Sequence, residues 1–224
     1  MADQLTAKAF EKRLKSLRKG TDWKSVRMGD IFKLGKEFQM MPTPEIETLM
    51  ESDVHKMRVG ALSIMGQCAK GKKCTLARLR ELHELYIRRH DRIDDWGLVD
   101  LAAYYVVGQY LADKPRKILY KLARSKDQWE RRTAIVATAH FILKLKQTDD
   151  TFKIAEMLVN DPEHFVHTGT GWMVRAAGDV DRKKLIAFLD KHAATMPRVT
   201  LRYSIEKLDK PTRERYMKMA TSKN

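Results

Sequence analysis

Cysteine is nearly absent: the 224 residues contain only Cys68 and Cys74. Two thiols are too few for a disulfide framework or a four-cysteine zinc site, so a reduced, cytoplasmic chain is expected. Glycine and proline are scarce as well, at 11 and 6 residues. All six prolines (Pro42, Pro44, Pro115, Pro162, Pro197, Pro211) fall at the starts of or between apolar-periodic segments, where a missing N–H costs little. No apolar run approaches the ~20 residues that a membrane-spanning helix needs, and the mean hydropathy is −0.49. The start, Met1-Ala-Asp-Gln-Leu-Thr-Ala-Lys, has an acidic residue at once and no apolar h-region, so no signal peptide is expected. A Walker-type loop, a Rossmann fingerprint and a G-x-S-x-G elbow are all missing. Acid is the minority charge, 29 Asp and Glu against 44 Lys and Arg, for a formal net charge of +15. That excess predicts a polyanionic partner, nucleic acid ahead of an anionic membrane surface. A merely soluble basic surface is the competing reading, and charge names no reaction.

What the chain does have is helical periodicity from end to end. Apolar spacing and boundary residues predict helices near 5–18, 26–39, 44–51, 53–69, 75–90, 95–112, 115–125, 127–146, 149–159, 163–177, 181–194, 197–207 and 211–220. Short loops join them, which makes an all-α protein of stacked helix pairs. Helix openings recur at Asp53, Asp94, Asp127 and His164, a period of about 37 residues that matches two-helix solenoid repeats. An Asp or Asn near each N-cap would accept the free N–H groups of the first turn. The expected architecture is therefore one HEAT-like repeat domain over 1–224, a curved α-solenoid with a basic concave groove. The second helix of each pair would line that groove and place Arg58, Trp96, Asp100, Arg132 and Trp172 in a row.

Trp96 and Asp100 stand at i and i+4, and Trp172 and Arg175 at i and i+3, so each pair shares a helical face. The bland reading is that both tryptophans are core residues and Asp100 an exposed or ion-paired acid. Against it, Asp100 lies in the apolar run Gly97-Leu-Val-Asp-Leu-Ala-Ala, where a carboxylate is costly unless solvated or paired with cations. Trp172 follows Gly169-Thr-Gly171, small residues that would let another chain or a DNA backbone come close. Cations for phosphate and π-faces for sugars and bases are what a nucleic-acid site needs. His164 and His167 share a face but have no third ligand, so metal binding is not expected. The basic stretches Arg78/Arg80, Arg88/Arg89/Arg92, Arg116/Lys117/Lys121/Arg124 and Arg182/Lys183/Lys184 mostly lie close to acids and read as solvated faces.

Three ordered segments carry a resemblance. Arg92-Ile-Asp-Asp-Trp-Gly-Leu-Val-Asp-Leu-Ala-Ala, then Trp129-Glu-Arg-Arg-Thr-Ala-Ile, then Gly171-Trp-Met-Val-Arg175 resemble the AlkD-like DNA alkylation repair family, HEAT-like-repeat DNA glycosylases, from about Val26 to Ile205. The resemblance implies a monofunctional glycosylase that excises cationic N3- and N7-alkylated purines from double-stranded DNA, without metal or organic cofactor and without a deep base-flipping pocket. It implies that Asp100 is the catalytic carboxylate and that Trp96 and Trp172 pack on the lesion nucleotide's sugar. Arg132 matches a backbone-contacting arginine, and Arg175 a further basic groove position. At His167-Thr-Gly-Thr-Gly-Trp172 the chain departs from the basic or bulkier apolar run more common in the family, so Thr168 lacks a phosphate-contacting charge. A cytoplasmic monomer, nucleoid-associated when on DNA, is expected. Two other classes remain open: a non-catalytic HEAT-repeat protein that binds damaged or branched DNA, and a protein-binding scaffold, which would want an apolar groove.

Overall fold

The computed structural model describes residues 5–219. Among these every regular element is helical, and each of the thirteen segments read from the periodicity contains a helix. The chain divides into two compact units, split between Tyr110 and Leu111.

The first unit holds α1 (Ala7–Ser16), α2 (Met28–Glu37), α3 (Thr43–Met50), α4 (His55–Lys70), α5 (Leu76–Arg88) and α6 (Trp96–Ala102). Its centre is α4, in which 12 of 16 residues are buried, consistent with a helix that is apolar on nearly every side. Leu62, Ile64 and Met65 lose all contact with solvent there, each stabilising the unit by roughly 1.5–3 kcal/mol. Around α4 lie α2, α3 and α6. The outer helices are amphipathic, and α5 starts where the Thr75 hydroxyl accepts the Arg78 N–H at 3.1 Å.

The second unit holds α7 (Lys117–Leu122), α8 (Gln128–Val136), α9 (Asp149–Leu158), α10 (His164–Val180), α11 (Arg182–His192), α12 (Arg198–Ile205) and α13 (Lys210–Met219). Here α10 is central, packed by α8, α9, α11 and α12. Asp181 ends α10 and caps α11, its carboxylate accepting the Lys184 N–H at 2.9 Å.

Two expected continuous helices are interrupted. After α6 the chain widens into a π-helical segment, Ala103–Gly108, and after α8 into another, Phe141–Leu145. The first follows a very close helix approach: a Cβ on Gly66 of α4 would lie 2.5 Å from the Leu101 carbonyl oxygen. Each residue inserted into a helix rotates the following face by about 100°, a change that apolar spacing alone does not report. The second segment ends at Lys146 in the left-handed region, φ 57°. No helix among the described residues is long and apolar enough to cross a membrane.

Candidate active site

In the first unit the site is built on α6. Asp95 is its N-cap, with Oδ1 accepting the Leu98 N–H at 3.0 Å and Oδ2 paired to His55 on α4. Trp96 opens the helix and is 51% exposed, so it is not a core residue. Asp100, one turn on, is partly exposed, while Leu98, Val99 and Ala102 of the same helix are buried. The i, i+4 pair therefore presents an indole beside a carboxylate. Tyr104 follows in the π-helical segment, its ring 4.2 Å edge-on from that of Tyr105. Burial, then the neighbouring Tyr105, raises its pKa, so the phenol stays protonated at neutral pH.

In the second unit Trp172 lies on α10 and is 36% exposed. Arg175, on the same face, is ion-paired with Glu206 beyond α12. Arg132 is only 4% exposed. Its Nη1 donates to the Phe165 carbonyl oxygen and, at 3.2 Å, to Thr168 Oγ1, so it ties α8 to the first turn of α10. Thr168 therefore serves as a partner for this guanidinium. The two glycines before Trp172 are buried, not open to an incoming backbone. A Cβ at Gly169 would come 3.1 Å from Arg132 Nη1, and one at Gly171 would come 2.6 Å from Tyr203 Cβ and 2.7 Å from the Thr200 carbonyl oxygen. These small residues let α10 meet Arg132 and α12.

Two members of the expected row of groove side chains, Arg58 and Arg132, are buried instead. Arg58 is 7% exposed, with Nη1 donating to the Ser52 carbonyl oxygen at 2.9 Å and Nη2 to both Asp94 oxygens at 2.9 and 2.8 Å. Its counterpart is Arg131, not Arg132. Arg131 donates to the Ser125 and Lys126 carbonyl oxygens, each at 2.9 Å, and to Asp161 at 2.6 and 3.1 Å. Both arginines sit six residues after a serine whose hydroxyl accepts the N–H two residues on, Ser52 from Val54 and Ser125 from Asp127. The two arginines thus share one hydrogen-bonding pattern, each tying the chain before its helix to an aspartate thirty or more residues on. Capping is less regular: Asp95 and Asp127 cap α6 and α8, whereas α4 and α10 start without a side-chain cap.

The basic stretches pair with acids. Arg78 bonds Glu81 at 2.9 Å, Arg88 bonds Glu47 at 2.7 Å, Arg116 bonds Asp150 at 2.6 Å and Lys184 bonds Asp149 at 2.7 Å. Cys68 and Cys74 are free thiols, and burial together with Cys68 pushes Cys74 up to about 11, which leaves it a poor nucleophile. Among the described residues no group of three or more His, Cys, Asp or Glu side chains is placed to hold a metal ion.

The family model described as DNA alkylation repair enzyme matches residues 1–208. No curated protein matches the chain significantly. With nearly its whole length matched, the chain belongs to the DNA alkylation repair enzyme family.

Proposed function

We propose, from membership of that family of DNA alkylation repair enzymes, that this protein is a DNA glycosylase hydrolysing the N-glycosidic bond of cationic N3- and N7-alkylated purines in duplex DNA. The observation that carries the proposal is the α6 face, where an indole 51% exposed stands one turn before a partly exposed carboxylate. The chemistry suits a single carboxylate. Alkylation at N3 or N7 leaves a positive charge on the purine, so the base departs without prior protonation. The glycosidic bond breaks with its electron pair going to the purine, which leaves neutral. Water adds to C1′ and gives up one proton, leaving an abasic deoxyribose. Asp100 stabilises the oxocarbenium-like sugar electrostatically and orients the water. Trp96 offers its π-face to the same cationic sugar, a cation–π contribution of about 0.5–2 kcal/mol, and the resemblance assigns Trp172 to it as well.

The proposal includes a curved course of the repeats and a basic groove for the duplex, as the repeat period and the net charge of +15 suggest. Arg175 would exchange Glu206 for a phosphate. Arg132 would serve the DNA backbone by holding the first turn of α10. The protein would act as a monomer in the cytoplasm, on the nucleoid.

The test is release of 7-methylguanine and 3-methyladenine from methylated duplex DNA by the native protein and by Asp100→Asn. Release that Asp100→Asn abolishes, with duplex binding retained, is the expected result. No release from the native protein, with salt-sensitive binding, would make it a binder of damaged DNA instead.

A further inference from the structure

Residues 92–95 lead directly into Trp96, and three of their side chains bind α4 and the chain just before it. Arg92 donates to the carbonyl oxygens of Met50 at 3.2 Å, Glu51 at 2.9 Å and Ser52 at 3.3 Å. Asp94 is gripped through both oxygens by the buried Arg58, which also holds the Ser52 carbonyl. Asp95 pairs with His55, on the first turn of α4, while it caps α6. Half of Trp96 is in solvent, and the backbone that these contacts hold leads straight into it. The helix is also short, seven residues before the π-helical segment, and Asp100 is the fifth of them.

We propose that Arg58, acting through Asp94, is a positioning residue that holds Trp96 and Asp100 in their working orientation. This rests on the glycosylase reading above for its effect on rate, though not for its effect on Trp96. Asp94 is the better first target, because its side chain is 56% exposed and its replacement leaves the core packing alone. Asp94→Asn and Arg58→Met are each expected to lower the single-turnover rate of base release by about tenfold to a hundredfold, since small misplacements of reacting groups cost that much. Duplex affinity should stay within about twofold of native. The double variant should fall no further than the worse single one, because both remove the same contact. Arg58→Lys, which keeps the charge but cannot hold Asp94 and the Ser52 carbonyl oxygen through two nitrogens, should recover part of the rate.

A readout independent of activity is the indole N–H signal of Trp96 in the ¹⁵N-tryptophan spectrum, assigned by Trp96→Phe. Asp94→Asn should shift that signal and leave those of Trp129 and Trp172 in place. An unmoved Trp96 signal overturns the inference whether or not the protein releases bases. A native rate of release in Asp94→Asn, alongside a dead Asp100→Asn, overturns it while the glycosylase reading stands. No release by native protein, with the Trp96 signal shifted, removes the reading and the claimed effect on rate together and leaves only the tether.

Discussion

Replacing Gly171 by alanine separates two uses of a small residue. A methyl group there meets Tyr203 Cβ at 2.6 Å and the Thr200 carbonyl oxygen at 2.7 Å. Neither atom is the far end of a flexible side chain, so α10 and α12 must move apart. Overpacking of this kind costs up to about 3 kcal/mol, and the better helix propensity of alanine returns about 1 kcal/mol. The net loss is about 2 kcal/mol. For a chain of this size that corresponds to a fall in Tm of roughly 4–8 °C, read by thermal denaturation followed by circular dichroism. Gly29→Ala is the contrast: it lies in α2 with nothing within 4 Å of the added methyl, so a gain of up to about 1 kcal/mol is expected. An unchanged or raised Tm for Gly171→Ala, with weakened duplex binding, would refute the packing argument and return the glycine to a role in DNA approach.

Trp96→Ala should lower base release strongly yet shift stability by less than about 1 kcal/mol, because half of the indole is already in water; a collapse of Tm would make it a packing residue. Glu206→Gln frees Arg175 from its ion pair, so duplex affinity should rise and the slope of log K against log salt should steepen by up to about 0.9; an unaltered slope would remove Arg175 from the DNA contacts. His140 is held below its ordinary value of 6.5, first by burial and then by Lys144 and Arg116. The unfolded chain therefore takes up the proton first, and stability should decline as pH falls below about 6.5. His140→Phe should flatten that part of the pH–stability curve measured by urea denaturation, and an unchanged curve would assign the acid sensitivity elsewhere.

How much of the site is legible in the sequence depends on the range of the interaction. The relation of Trp96 to Asp100 follows from helix geometry over four residues, and the sequence pattern contains it. The exposure of both tryptophans does not follow from spacing, since an indole at helical period suits a core equally well. Arg131 and Arg132 are adjacent and chemically identical, and their charged and distant partners differ only in the folded chain: Asp161 for one, Phe165 and Thr168 for the other. The same holds for Arg58, whose partner Asp94 is 36 residues on. The π-helical segments are hidden for a related reason, because an inserted residue leaves the local apolar pattern nearly unchanged while turning the face that follows.

By itself the sequence determined the helical class, a helix within each of the thirteen segments read from it, the excess of positive charge and the indole–carboxylate pair on α6. Each of these is a local periodicity or a sum over the chain, and none depends on which segments meet. Tertiary structure decided that Gly169 and Gly171 serve packing, that Arg58 and Arg131 are buried struts, and that Arg175 is paired with Glu206. Those outcomes turn on contacts between residues distant in the chain, where a shift of about an ångström separates a hydrogen bond from a collision.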